Sequence, residues 1–543
     1  MKNLFTGGRR KVAAVMAIAL FTSLSPVAPI DAASKANNLV ILVGEKDAGW
    51  CSQDSPGLDQ IAMKNAVSEG LMTMNSEGKV VPYLLKSVSS SADYKTWTLT
   101  LREGIFFHDA EQWSAASLAA NLAAALGLTV TGSLPAIAWQ DLFGGVTSFA
   151  AFAAKVQVKS AFIVQLNLPA PRPDVPSILY GSGRFTMWSS ATLKSPKCGT
   201  TVGFGTGPFK IVEKGIDQFT TKLEANPNYW RKAADGSKLP KAKTVTFKTV
   251  LDATQRVNAL EKGSADIASF GSTSGAQIKR AQKDLKSKIT VIAGAKETTW
   301  ALHMNTAIAP FNNKNARMAV SFAIDRVNYA KLMTRSLASP ATSLGASYHP
   351  YYVKNTGVRF DLAKAKEYVA AYKKDTGKDL VVVIPITDTT ESAKSNGAIA
   401  KFLEAAGIKT SFMAPVTSTQ YILRGFALRQ QWSWFNVVAG NDASFASLFS
   451  TKTDLELSGF RFTNPGLAQC FVDARASGDA KNYKTCAAVL HGEAYWIPVY
   501  TESGYLMHRN KVSGIGATPL PNGGKRQIIS LAGFDFASVT VSG

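Results

Sequence analysis

Histidine is scarce in this chain of 543 residues: His108, His303, His349, His491 and His508 are all there are. None falls in H-E-x-x-H and no two stand four apart, so no local motif points to a metal centre. Gly203, Gly205 and Gly207 lack the lysine or the dinucleotide spacing that a phosphate-cradling loop needs. Gly271-Ser272-Thr273-Ser274-Gly275 imitates a nucleophile elbow but has Thr at its centre, and reads as a polar loop. No pair of carboxylates stands out for glycoside chemistry. Fixed-period repeats, long low-complexity linkers and apolar runs of spanning length beyond the N-terminus are also missing. These absences argue against an enzyme, and no cofactor or protein-bound metal is expected.

Acidic residues are a minority, 38 against 60 basic ones, for a formal net charge of +22. Nucleic-acid binders usually cluster their basic residues. Here they are scattered, so the charge reads as a basic surface facing an anionic cell envelope, with no nucleic acid as partner. At 46% hydrophobic and 18% charged residues, the chain can bury a large core, and its length suits two or three domains. Lys2, Arg9, Arg10 and Lys11 precede the uncharged apolar stretch Val12 to Leu24, and small residues follow to Ala33. This is the plan of a secretory signal peptide over residues 1–33, and the apolar stretch is shorter than the ~20 residues of a spanning helix. No Cys sits at the cleavage region, so a periplasmic or cell-envelope protein without a lipid anchor is expected. Four cysteines, Cys51, Cys198, Cys470 and Cys486, suit disulfides in an oxidising compartment, and their number allows three connectivities.

Strand and helix patterns alternate. Asn38 to Val43 reads as a strand, Ala62 to Met72 as a helix, and Thr96 to Arg102 as a half-buried strand of period two. Ser114 to Leu126 reads as a helix capped by Ser114. Strand-like runs fill Val156 to Leu168. Thr244 to Val250 alternates, Ala253 to Lys262 is helical, and Ala265 to Ala268 is a short strand. Then come helices over Asn315 to Ile324 and Leu362 to Tyr372, a buried strand over Leu380 to Ile386, a helix over Ala398 to Ala406 and a strand over Ile408 to Met413. Such alternation argues α/β lobes with helices over the sheets. Asn464-Pro465 opens a helix carrying Cys470, and Ala480 to Leu490 forms a second carrying Cys486, with the turn Ala476 to Asp479 between them. The two helices should be antiparallel neighbours, which predicts the pair Cys470–Cys486 and leaves Cys51–Cys198 as the other.

Several blocks are more specific. They are Glu69-Gly70-Leu71 with Glu77-Gly78 and Val81-Pro82; Trp97 through His108-Asp109, followed by Ala110; Gly205-Thr206-Gly207-Pro208-Phe209; and Asn226-Pro227-Asn228-Tyr229-Trp230. Asp252-Ala253-Thr254 with Gly263 to Ile267, and Asn305 with Pro310-Phe311, Arg317-Met318-Ala319 and Ala323 to Arg326, continue the series. In this order they resemble the family 5 solute-binding proteins, the oligopeptide, dipeptide and nickel receptors of bacterial ABC importers. Taken alone, Gly205 and Gly207 read as freedom for a tight turn before Pro208, and Tyr229 and Trp230 as rings packed under a sheet.

The resemblance implies an α/β, two-lobed periplasmic-binding-protein-like fold (type II, cluster C) with an extra inserted subdomain and a ligand cleft between the lobes. Residues 34–64, 206–298 and 497–543 would form the first lobe, 65–205 the inserted subdomain and 299–496 the second lobe. It implies a monomeric receptor that captures a small-molecule or peptide solute by lobe closure and delivers it to a membrane permease. An oligosaccharide or metal chelate is an alternative solute. An exported polymer-acting enzyme and an envelope adhesin are readings of other classes. Cleft walls are expected at Trp50, Trp188, Trp300 and Trp434, with Asn436, Asn441 and Asp442 as polar partners and Trp432 beside them. Peptide-binding members carry an aspartate for the peptide's amino terminus where this chain has Ala439. An uncharged or weakly charged solute, held by stacking and hydrogen bonds, is therefore expected.

Overall fold

A computed structural model describes residues 37–45, 58–129, 137–195, 203–214, 219–294, 298–343, 345, 352–353, 359–426, 429–437, 465–528 and 535–542. The leader, Trp50, Cys51, Cys198, His349, Ala439, Asn441 and Asp442 lie outside these residues.

Two larger sheets and an inserted one organise the chain. In the first sheet the strands run in the order Ile289–Ala293, Tyr505–Arg509, Ile267–Phe270, Asn38–Val43, Thr244–Thr249, Thr220–Ala225 and Phe209–Lys214. Asn38–Val43 lies parallel to both its neighbours. Its residues from Leu39 on are all buried, as suits a strand covered on both faces. The helix Ala253–Lys262 matches its expected span, with Asp252 accepting a hydrogen bond from the Gln255 N–H and Gly263 closing the C-terminus at φ +78°.

The inserted sheet is antiparallel, in the order Leu85–Ser90, Thr96–Leu101, Ile163–Asn167, Val156–Ser160. Thr96–Leu101 alternates strictly between partly buried and buried residues. Leu99, Leu101, Trp113, Leu118, Leu122 and Val164 fill a core of its own. Ser114 caps the helix Ala115–Ala125, exchanging hydrogen bonds with Ser117.

The expected helix from Ala62 to Met72 is displaced. The helix spans Leu58–Val67, and Met72–Met74 is a strand. Helix and chain part at Ser68, whose hydroxyl donates to the Met187 carbonyl. Glu69 turns inward and accepts hydrogen bonds from Tyr83 Oη (3.0 Å), Thr206 Oγ1 (3.0 Å), Tyr229 Oη (2.7 Å) and Trp230 Nε1 (2.8 Å). Tyr229 and Trp230 thus reach a buried carboxylate as well as apolar neighbours. Gly205 and Gly207 also have a different reason from the one their turn suggested, because neither has positive φ. They pass against the end of that helix: a Cβ on Gly207 would stand 2.6 Å from the Val67 carbonyl carbon, and one on Gly205 2.2 Å from its oxygen.

In the second sheet the order is Ser339–Pro340, Trp496–Glu502, Thr298–Met304, Trp432–Val437, all antiparallel. One face carries Leu302, Met304 and Trp432 into a core shared with Ala316, Val320, Tyr329, Ile399 and Leu403. The other carries Ala301 and Trp496 into a core with Leu467, Phe471, Cys486 and Leu490. The helices Pro465–Ser477 and Ala480–Gly492 pack as a hairpin joined by a Cys470–Cys486 disulfide. The expected strand Leu380 to Ile386 is the shorter Val381–Ile384, paired in parallel with Lys409–Phe412. The helix between them starts earlier than expected and spans Thr390–Ala405, since Thr389 accepts the Ser392 N–H and starts a polar first turn that shows no apolar period.

The chain passes between the two larger sheets twice. It leaves the first after Ile289–Ala293 to enter Thr298–Met304, and it returns from Trp496–Glu502 through Ser503 and Gly504 to Tyr505–Arg509. The Gly294 N–H donates to the Gly504 carbonyl at 2.9 Å, tying the two passages together. The expected segment boundary at 496/497 falls inside the strand Trp496–Glu502, which stays with the second sheet to its last residue.

Candidate functional site

The passages bring a ring-lined, polar end of the second sheet against the first. Trp300 is the cross-strand partner of both Asn436 and Tyr500, so these three share a face, and Trp434, two residues before Asn436, shares it too. Trp300 stacks on Tyr500 with centroids 6.3 Å apart, Tyr500 lies 5.4 Å from Tyr329, and Trp434 is 6.2 Å from both tyrosines. Trp300, Trp434 and Asn436 are partly buried. The geometry therefore gathers three of the expected site residues.

Trp434 is held more firmly than a cleft wall requires. Its Nε1 donates to Asn396 Oδ1 at 2.8 Å, its backbone N–H to Tyr421 Oη at 2.7 Å, and its ring packs on the second-sheet core. Trp432, on the same face, is wholly buried and stacked on Phe311. Trp188 is a core residue, 1% exposed. It packs with Met63, Val67 and Leu193, and the side chain of Asn121 holds its backbone N–H and carbonyl at 2.9 and 2.8 Å. Its ring fills the space above Gly203, where a Cβ would come within 2.6 Å.

Glu502, at the end of the returning strand, stands in no motif of the sequence. Its carboxylate accepts the Ser272 backbone N–H at 2.8 Å and the Ser272 hydroxyl on Oε2, and Trp300 Nε1 on Oε1. Burial raises its pKa. The Gly271–Gly275 loop thus supplies hydrogen-bond donors through Ser272 instead of a nucleophile. Gly275 comes so close to the second lobe's side that a Cβ would sit 2.4 Å from the Thr334 carbonyl oxygen.

On the first sheet, the C-terminal ends of the parallel strands Asn38–Val43, Thr244–Thr249 and Ile267–Phe270 lead to this junction. The helices Leu58–Val67 and Ala253–Lys262 follow the first two of these strands in the chain. Asp59 accepts the Gly44 N–H at 2.5 Å and the Ser269 hydroxyl at 2.6 Å. Burial, reinforced by the Asp59 carboxylate, pushes the Glu45 carboxyl up to about 8. Arg256 is fixed by the Val250 and Leu251 carbonyls at 2.6 and 3.1 Å and lies over the Phe270 ring. The arrangement offers aromatic faces, hydrogen-bond acceptors and fixed charges. Among the described residues no group of three or more His, Cys, Asp or Glu could hold a metal ion, and no helix is long and apolar enough to cross a membrane.

Comparison with known proteins agrees with this architecture. The chain is 28% identical over 333 residues to the nickel-binding periplasmic protein of Escherichia coli (strain K12), an alignment covering 59% of each. It is 24% identical to the glutathione-binding protein GsiB of Escherichia coli O6:K15:H31, over 89% of this chain and 93% of that one. The solved structure of the periplasmic binding protein AgaA, in complex with agropinic acid, from A. tumefacien R10 superposes with a TM-score of 0.77 at 19% identity, covering 93% of this chain and 99% of the other. The fold is thus the two-lobed type II fold of periplasmic binding proteins. The family model described as "Bacterial extracellular solute-binding proteins, family 5 Middle" matches residues 79–455, more than half of the chain, and the protein belongs to that family.

Proposed function

We propose that the protein is the solute-capturing receptor of an ABC importer, closing two lobes on a small, polar, peptide-like solute outside the cytoplasm and handing it to a membrane permease without chemical change. The observation that carries this reading is the junction itself. Two sheets with separate cores are joined by two short passages, and partly buried rings and polar groups converge beside them. A pair of passages is a natural hinge, and rings with a few placed polar groups suit a small solute.

In this reading the first lobe takes residues 38–64, 206–294 and 503–542, the inserted subdomain 65–205 and the second lobe 298–502, so the return to the first lobe comes at Ser503 rather than 497. Trp300, Asn436 and the edge of Trp434 face the solute. Native mass spectrometry of the exported protein, followed by calorimetry with free-amino peptides, amino-acetylated peptides, oligosaccharides and metal–histidine chelates, tests the reading. One-to-one binding of an unaltered peptide-like compound, with a raised melting temperature, is expected. Release of a chemically altered product, or binding of none of the panel, would overturn it.

A further inference from the structure

Away from the passages, the inserted segment meets the disulfide-bonded hairpin through an ionic contact with little exposure to water. Asp141 lies on the helix Ile137–Phe143, and Arg172 precedes the helix Val175–Tyr180. Arg172 grips Asp174 with both prongs, Nε to Oδ1 at 2.7 Å and Nη2 to Oδ2 at 2.8 Å, and sends Nη1 to Asp141 Oδ2 at 3.1 Å. The same Asp141 oxygen accepts Nη1 of Arg475, 334 residues away at the end of the helix Pro465–Ser477. These four side chains are between 3 and 11% exposed. One turn later the chain bends at Gly478, φ +65°, against Pro173, with 3.1 Å left for any Cβ. The contact joins elements of two separate cores.

The charges divide unevenly between the two sides. On the inserted side one arginine and two aspartates leave a net charge of −1, because 1 − 2 = −1. On the hairpin side Arg475 brings +1. If the sides part, Arg172 keeps its two-pronged hold on Asp174, and Arg475 regains water. Neither half therefore has to be rebuilt on separation, whereas a lone buried charge would be costly. The disulfide gives Arg475 a stiff carrier, so the contact can be made and broken as a unit.

We propose that Asp141 and Arg475 form a closure catch, made when the inserted subdomain and the second lobe come together over the cleft and broken each time the cleft opens. The proposal rests on the two-lobed receptor reading, and its test needs no solute. Hydrogen exchange and small-angle scattering are measured on the full mature chain, solute-free, for the wild type and for Arg475→Glu, which places a third carboxylate beside Asp141 and Asp174. Exchange should rise by about tenfold or more in 137–143, 172–180 and 465–478, remain unchanged in the strands 244–249 and 267–270, and be accompanied by a larger radius of gyration. Arg475→Gln, which removes the charge without adding repulsion, should move the same segments in the same direction. An unchanged radius of gyration with unchanged exchange at the contact would overturn the catch. So would faster exchange spread through all segments in both variants, the mark of a contact that only supports the fold. Either result leaves the calorimetric test of solute capture standing.

Discussion

Single residues decide what this fold can tolerate. His303 and His491 are buried and His108 is partly buried, and desolvation pushes the pKa values of His108, His303 and His491 down to about 4, about 3 and about 4. Each is neutral in the folded chain and takes up a proton near its ordinary value of roughly 6.5 once unfolded. Their contribution to stability is complete above that value and is lost as pH falls through the folded values. Denaturant titrations should show stability falling from pH ~6.5 toward 4. His303→Phe should flatten that slope by up to one proton's worth, about 1.4 kcal/mol per pH unit; an unchanged slope would show that His303 is not buried neutral. Trp434 carries a second expectation. Its hydrogen bond to Asn396 and its packing on Tyr329 and Tyr500 mean that Trp434→Ala should cost about 3–5 kcal/mol of folding stability, read by chemical denaturation. A ring exposed along an open cleft would cost far less. Trp434, Asn436 and Trp300 are legible as site candidates through the family resemblance, which implies a cleft that needs aromatic walls and a few orienting polar groups. The sequence could not reveal Glu502 or Ser272, which are ordinary residues 230 positions apart until the fold joins them by two hydrogen bonds.

At the scale of elements, strands and helices whose own periodicity matches their burial were legible: Asn38–Val43, Thr96–Leu101, Ala253–Lys262 and the helical hairpin with Cys470 and Cys486. Elements that end for a distant reason were not. Nothing local in Ala62 to Met72 shows that Tyr83, Thr206, Tyr229 and Trp230 all claim Glu69. Trp188 lies in a core and not along the expected cleft for the same reason, since a core tryptophan and a cleft tryptophan look alike in sequence until their neighbours are known. The hairpin yields a prediction. Its disulfide closes a loop of 16 residues, so Cys470→Ser with Cys486→Ser should lower stability by roughly 3 kcal/mol. Hydrogen exchange should place the loss first in 465–492, and a loss confined elsewhere would show that the hairpin does not depend on the bond.

For the whole molecule, the two lobes are coupled where Glu502 binds Ser272 from one side and Trp300 from the other. Glu502→Gln keeps an acceptor for Ser272 but offers an NH2 where Trp300 needs an acceptor. Calorimetry of the variant should replace a single unfolding transition with a broadened or split one. A sharp single transition at the wild-type temperature would show that Glu502 does not couple the lobes. The return passage has one more consequence, which concerns the order in which the chain is made. Tyr505–Arg509 lies inside the first sheet, between Ile289–Ala293 and Ile267–Phe270, and its last residue reaches Asp266 at 3.2 Å, 243 residues earlier. Until that strand emerges from the ribosome, Ile267–Phe270 has an open edge and Ile289–Ala293 has no neighbour in its sheet. Nearly the entire polypeptide must be synthesised before the lobe begun first can be completed. The sheet begun first is therefore the one finished last, and the chain is not sealed into its final form until its synthesis is almost over.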